Sequence, residues 1–411
     1  MDNELAPQPR SDNLSLMTLP PRNPLPRPTL IPGLARVWRG PVELQIGLDP
    51  ARAVRVELPD PRLARVLDLL DGNLAERQVL VHAAELGVAP EEARQLVDLL
   101  HRAGLVLPSA ALLPAGLPSV ERRRLAAEAA ALALGGPAPG DLPHPSPARV
   151  LRRRRAARVV LAGRGRLGSS VAVALAEAGV GHVFPDLSGV VGPGHLAGSA
   201  LRAGDLGSPL RAAVAAAVHR SVPGTAVHDV RRAPVNLVVQ LAHEQPAALV
   251  AAAHAGRRQP HLAVRIRDGV AVIGPLVPSA GGPCLNCQDL HRRERDPDWP
   301  GAEGPPGPDV AEPCAVATVL AATGFVVAEV LTFLDGGTPE TLGAAVEISS
   351  PGRIRRRSWP PHPVCTCHRR GRRATHARSA AGRDGAPARQ AAGTHAATGG
   401  DGAPEPRGGD L

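Results

Sequence analysis

The chain has no tyrosine and no lysine, and its 411 residues carry only three Phe and three Trp. So few rings leave no array of stacking platforms for bases, which disfavours a single-stranded nucleic-acid binder. Without an ammonium group a Schiff base is excluded, and any phosphate must be met by Arg, backbone N–H groups or a metal. The Ser, Tyr and Lys set of one common class of hydride-transferring enzymes is excluded on the same ground. No signal peptide is recognisable, because Pro and polar residues break up the first thirty positions. No uninterrupted apolar run reaches the ~18–20 residues that a bilayer demands. These absences predict a cytoplasmic protein without a membrane role.

Hydrophobic residues make up 44% of the chain, enough for a sizeable core built from Val, Leu, Ala and Ile. The net charge is +9, and all 47 basic residues are Arg. Because Ala, Gly and Pro are enriched alongside Arg, we assign the basic excess to composition rather than to nucleic-acid binding.

Five segments are expected. Residues 1–30 are Pro-rich and read as disordered. Residues 34–108 read as a small α+β module: alternating strands at Glu43 to Leu48 and Ala53 to Leu58, helices at Pro61 to Leu70, Leu74 to Leu86 and Pro90 to Ala103, and a final strand, AGLVLP. That outline is winged-helix-like. The third helix buries Ala93, Leu96, Val97 and Leu100 and shows a mixed-charge face with Glu91, Glu92, Arg94, Asp98 and Arg102, which favours a protein or peptide partner over DNA. Residues 111–148 hold a helix, Val120 to Leu134, and a Pro-rich linker. A larger α/β domain follows over 155–368, and 369–411 reads as a disordered tail.

The larger domain opens with RVVLAGRGRLGSSVAVALAEAGVG. A buried strand leads into Gly163, Gly165 and Gly168 and then into a helix with Leu167, Val171 and Leu175 on its apolar face. Gly163 permits a tight turn, Gly165 lets backbone approach a phosphate, and Gly168 allows close helix–strand packing. The helix N-terminus then forms an anion site that needs no lysine. A second strand ends at Asp186, placed to accept a ribose hydroxyl. Strand, glycine turn, helix, strand and Asp in that order predict a Rossmann-like nucleotide-binding fold.

Cys284 and Cys287 form a CxxC pair, and Cys365 and Cys367 a CxC pair. Without an export signal such pairs favour metal over disulfides, here a structural zinc with four thiolates. The tighter CxC loop leaves room for His362 or His368 to replace one cysteine. Cys314 stands apart, either a small buried cysteine or a thiolate activated by a helix N-terminus.

These features resemble the ThiF/MoeB/HesA family, whose fold the ubiquitin-activating enzymes share, over about residues 155–368. GRGRLGSSVAVALAEAGVGHVFPD is similar to the family opening, and CLNC with CTC to its zinc knuckles. The resemblance implies ATP and magnesium at the glycine turn and Asp186, adenylation of a carboxylate on a small carrier protein or peptide, and a homodimer. Departures accompany it. HLAGS at His195 to Ser199 replaces an Asn-Leu-x-Arg-Gln stretch, and Gly198 brings no cation there. Leu210 replaces a phosphate-binding lysine, with Arg211 adjacent as a candidate contact. No Asp lies between Val235 and Gln245, and His243 stands near the position of the magnesium ligand, with Asp205 and Glu244 as candidate substitutes. Magnesium needs hard oxygen ligands, so the resemblance implies a degenerate adenylation site; a working adenylyltransferase is the alternative. The order of the two domains also resembles proteins that bind leader peptides of ribosomally made natural products.

Overall fold

The computed structural model describes residues 13–14, 22–50, 52–135, 145–230, 233–243, 245–299, 301 and 312–367. The expected tail 369–411, His368 and Glu244 lie outside them.

In the N-terminal unit, β1 (Asn13–Leu14), β3 (Arg36–Trp38), β4 (Glu43–Ile46) and β5 (Val54–Glu57) form one sheet in the order β1-β5-β4-β3. The expected hairpin is β4 and β5, paired with Leu44 opposite Val56. A 3-10 helix (Pro61–Leu69) follows, capped by the Asp60 carboxylate on the Arg62 amide, then α1 (Glu76–Glu85) and α2 (Pro90–Arg102). Pro90 opens α2, Glu91 and Glu92 sit in its first turn and His101 and Arg102 in its last, as the helix dipole favours. Ala93, Leu96, Val97 and Leu100 are buried in this unit's core.

The final strand, β6 (Val106–Pro108), pairs not with the hairpin but with β2 (Pro28–Leu30), whose three residues are buried. The disorder expected over residues 1–30 does not hold for Pro28–Leu30, which form this strand. Arg22 is the reason: its guanidinium pairs with Glu76 at 2.9 Å and with Asp98 at 2.5 Å. Asp98, expected on the outward face, is consequently buried.

α3 (Ser109–Leu112), α4 (Ser119–Leu134) and α5 (Pro147–Ala156) connect this unit to the larger domain, with Leu125 and Ala129 packed on Leu151. The Pro-rich linker lies largely outside the described residues. Its far end is not free chain, because Pro147 begins α5. Arg154, buried inside a run of four arginines, clamps that helix to its neighbours. It bonds Glu128 of α4 at 2.5 Å and Asp335 at 2.6 Å.

The larger domain is a seven-stranded sheet in the order β13-β12-β11-β10-β9-β7-β8. β7 (Arg158–Gly163), β8 (His182–Leu187), β9 (Leu237–Gln240) and β10 (His261–Arg267) are parallel. β11 (Val270–Val277), β12 (Ala344–Ser350) and β13 (Arg353–Ser358) extend the sheet antiparallel, and every residue of β13 is exposed. α6 (Leu167–Glu177), α7 (Leu210–Ser221) and α10 (Val316–Asp335) join the main core, in which Leu161, Val239 and Ile273 of the sheet meet Val171, Leu175, Val214 and Val326. α8 (Ala247–Arg257) and α9 (Leu285–Arg295) form a smaller apolar cluster with Ala263.

α10 is the described helix that bears on the membrane reading, and Glu329 interrupts its apolar run. Its 20 residues are long and apolar enough to cross a bilayer by length and composition. Here Val319, Ala322, Val326 and Val330 lie in the core, and its buried Glu329 accepts hydrogen bonds from the Glu340 and Thr341 amides.

Candidate functional site

The chain passes from β7 to β8 on one side and later returns to β9 on the other, so a crevice opens at the carboxyl end of β7, the usual ligand position in such sheets. The glycine turn lies there. Gly163 (φ +112°) and Gly165 (φ +125°) adopt backbone that L side chains rarely take. A Cβ on Gly163 would meet the Ala242 carbonyl oxygen at 2.6 Å, and one on Gly168 would press on Leu187 and Leu241 at 3.1 Å. Gly163 thus lets β9 exit close by, and Gly168 lets α6 settle on the sheet.

Gly165 has an unforeseen neighbour. A Cβ there would lie 3.0 Å from both carboxylate oxygens of Glu312. Glu312 Oε2 accepts the Arg166 amide hydrogen at 2.9 Å, and the residue is 9% exposed. Burial pushes its carboxyl pKa up, against the Arg166 amide and the charges of Arg166 and Arg164. The amide expected to face a phosphate is therefore bonded to the chain's own carboxylate. The Arg166 guanidinium donates to the carbonyls of Glu312, Cys314 and Ala197, which holds the lead-in to α10 against the loop over 195–199. Ser169 bonds Ser199 at 2.7 Å, and Ser170 donates to the Gly198 carbonyl at 3.1 Å.

Asp186 lies beside Ala162 across the β7–β8 pair, exposed, and the Ser188 amide bonds the Gly163 carbonyl at 3.0 Å. Leu210 is buried in the core and offers the site nothing. Arg211 stacks its guanidinium over the Phe184 ring at 4.5 Å and makes no hydrogen bond to the glycine turn among the described residues. Asp205 is taken up as a cap: it accepts the Arg202 amide at 2.8 Å and pairs with Arg220 at 3.1 Å.

His243 bonds the Gln245 carbonyl through Nδ1 at 2.7 Å, so Nδ1 carries the proton. Burial lowers its pKa, and it stands as a neutral imidazole where a hard cation needs oxygen. Gln240, at the end of β9, donates its amide to the Ala162 and Leu241 carbonyls. Its Oε1 must then accept from His254 Nε2, 3.1 Å away. His254 stacks on His261 at 4.2 Å, and burial, then the nearby charges, pushes it down to about 4.

Further along the same end of the sheet stands a row of arginines. Arg265 donates to the neutral Gln288 side chain at 3.4 Å, while Arg292, one turn further along α9, lies over the Trp299 ring at 5.1 Å. Among the described residues neither makes a close ion pair: Glu347 pairs with Arg267 and Arg357 and Asp289 with Arg293, so these carboxylates act on Arg265 and Arg292 only from further off. Burial, and then Arg292 and Arg267, bring Arg265 down to about 10.

The four paired cysteines converge. Sγ–Sγ separations are 3.9 Å for Cys284–Cys287, 3.7 Å for Cys284–Cys365 and 3.3 Å for Cys287–Cys367. A disulfide needs about 2.05 Å, whereas four sulfurs about 2.3 Å from one tetrahedral ion stand about 3.8 Å apart. The cluster therefore fits a metal ion. The Asn286 side chain and the His362 amide donate to Cys365 and Cys287 sulfurs, each at 3.3 Å, as outer-shell groups do in such sites. Hydrogen bonds from Cys284 and Cys367 lower the Cys287 pKa, and Cys284 is pushed up to about 12. His362 is not a fourth-ligand substitute here. Its Nδ1 accepts the Val364 amide hydrogen, and its Nε2 faces Glu294 at 2.8 Å. Cys314 is half-buried, contacts the Gly269 carbonyl at 3.5 Å and has its pKa raised by burial, the opposite of an activated thiolate.

In fold, the chain is similar to E. coli MccB. The structure of that protein with succinimide matches with a TM-score of 0.55 at 16% identity, over 83% of this chain and 99% of the other. MccB with ATP gives 0.55 at the same identity and coverage. The microcin C7 biosynthetic enzyme MccB in complex with N-formylated MccA gives 0.54, again at 16% identity over 83% and 99% of the two chains. PaaA matches at 0.52 and 14% identity, over 79% of this chain and 98% of the other. The mixed α/β architecture with a parallel-rich sheet is thus the ThiF-like fold of MccB. No protein-family model and no curated protein matches the sequence.

Proposed function

We propose that the chain is a ThiF-like protein that binds a carboxylate-bearing peptide or small carrier protein, holds a structural zinc, and has lost most adenylation capacity. The fold it shares with MccB, a protein solved in complex with MccA, supports a peptide partner. The observation that carries the reading is the arrangement of residues at the carboxyl end of the parallel strands. It sets Arg265 and Arg292, neither in a close ion pair among the described residues, at the same end of the sheet as a glycine turn that closes on a carboxylate. Two guanidiniums whose nearest carboxylates, Glu347 and Asp289, are shared with other arginines favour an acidic or C-terminal carboxylate ligand. The N-terminal module, winged-helix-like in this reading, adds grip by accepting an extended peptide at a sheet edge. Zinc suits the four-thiolate set better than harder ions do. As in the family it resembles, the chain pairs with a second copy, which light scattering will check.

Adenylation requires a substrate carboxylate oxygen to attack the α-phosphorus of ATP, with pyrophosphate leaving. Charge developing on the phosphoryl oxygens must be met by placed cations and a metal held by carboxylates. Leu210 is in the core, His243 is neutral, and Asp205 is engaged elsewhere. Asp186 and the glycine turn favour the second reading, a working adenylyltransferase. Pyrophosphate exchange with Mg·ATP, run with peptides encoded beside the gene, separates the two. Robust exchange that is abolished in Asp186→Ala establishes the enzyme. Peptide binding without exchange supports the proposal.

A further inference from the structure

We propose that Glu312 is a tethered competitor for the glycine turn: its carboxylate occupies the place of a nucleotide phosphate, and a nucleotide enters only by displacing it. This rests on reading the turn as a nucleotide cradle, and extends that reading to what decides its occupancy.

Three observations converge on it. First, the contact is made where the turn is most open. Both carboxylate oxygens stand 3.0 Å from where a Gly165 Cβ would be, so the space a side chain would fill is filled by Glu312 instead. Second, the bond is the one a phosphate would use: Glu312 Oε2 accepts the amide hydrogen of Arg166, the residue that caps α6. Third, the backbone that carries the carboxylate is held by the turn itself. Arg166 Nη1 grips the Glu312 and Cys314 carbonyls at 3.1 and 2.9 Å, so the backbone that carries Glu312 is fastened to the same residue whose amide its side chain takes. A free anion must outcompete a partner that is already present at high effective concentration. The Arg166 guanidinium, the charge nearest that amide in sequence, directs Nη1 and Nη2 at the carbonyls of Glu312, Cys314 and Ala197 rather than at a phosphate.

The two anions cannot share the amide, and like charges at contact distance repel. Removing the carboxylate therefore frees one charge-assisted hydrogen bond, a change of about ten- to a hundredfold in affinity. The test is titration of the full-length protein with the fluorescent ATP analogue mant-ATP, at fixed ionic strength, with and without magnesium. Glu312→Gln removes the charge and keeps the shape; Glu312→Ala removes both. Melting temperature serves as the folding control, because the Arg166–carbonyl bonds involve only the Glu312 main chain.

We expect both variants to bind about tenfold or more tightly than the parent, with Ala at least equal to Gln. Measurable binding that is unchanged in both overturns the competitor and leaves the cradle standing. Weaker binding in both also overturns it and makes Glu312 a contributor to nucleotide binding. Absence of binding by all three proteins at millimolar analogue overturns the competitor and the cradle together. The readout is binding, so it is decided whether or not pyrophosphate exchange occurs.

Discussion

Removal of Cys365 and Cys367 together is the sharpest test of the metal centre. In the structure the CxC pair comes from a segment 80 residues beyond the CxxC pair. Its docking surface is small: Trp359 and the cysteines cluster with Ala251, Val277 and Leu290. Little apolar area holds the segment, so the cross-link must supply most of the hold. Closing an 80-residue loop removes unfolded-state entropy worth about 4.5 kcal/mol in the chain-entropy description, whether the link is sulfur–sulfur or sulfur–metal–sulfur. For a domain of this size that corresponds to a fall in melting temperature of about 9–18 °C. The assay is elemental analysis of zinc per chain, paired with thermal unfolding, on the Cys365→Ala/Cys367→Ala protein and on Cys314→Ala as control. The double variant should lose stoichiometric zinc and melt early; the control should do neither. Full zinc retention in the double variant, or an unchanged melting temperature after zinc loss, would refute the reasoning.

Arg154→Ala leaves the partly exposed Glu128 and Asp335 without their shared partner and should cost about 1.5–3 kcal/mol in urea unfolding; a loss below about 1 kcal/mol would mean the clamp is no stronger than a surface pair. His254, held down to about 4, binds its proton more readily in the unfolded chain. Its contribution is complete above the unfolded value of about 6.5 and fades as pH falls towards about 4, by about 1–2 kcal/mol after allowance for partial exposure. His254→Leu should flatten the stability profile in that window, and an unchanged slope would disprove the assignment. Gly163→Ala places a Cβ against the Ala242 carbonyl at positive φ. It should destabilise the protein by about 1–3 kcal/mol and weaken mant-ATP binding; parental behaviour in both would contradict the turn geometry.

The legible parts of this fold are those where a local pattern has one physical solution. The glycine turn, the helix with Leu167, Val171 and Leu175, and the three helices after the hairpin each follow from spacing, capping and turn chemistry. The convergence of Cys284, Cys287, Cys365 and Cys367 was legible from chelate spacing, although the ion itself rests on measurement. What escaped was long-range. Arg22 reaching Glu76 and Asp98, Arg154 reaching Asp335, and Glu312 reaching the glycine turn join residues far apart in the chain. Polar contacts of this kind leave no periodicity. One signal was available for Arg154. Four consecutive arginines over one and a bit helical turns must place at least one against whatever the helix packs on. Nothing in the local sequence of Glu312 distinguishes it from a surface glutamate. Glu329 breaks the apolar run of α10, and a single acid satisfied by backbone amides is compatible with a core helix.

β13 forms one margin of the large sheet, with all six residues exposed and a backbone face open to pairing. Such a margin invites a neighbouring molecule to add its own strand, and then another. Here the invitation is withdrawn by Arg353, Arg355, Arg356 and Arg357, which would bring like charge against like charge if two copies aligned. Glu347 and Glu340 steady two of them without cancelling the surplus. Part of the arginine excess should thereby keep a concentrated solution of the protein from turning into fibres or gel. Exchanging those four residues for threonine, a good strand former without charge, should leave the fold standing and send the protein out of solution.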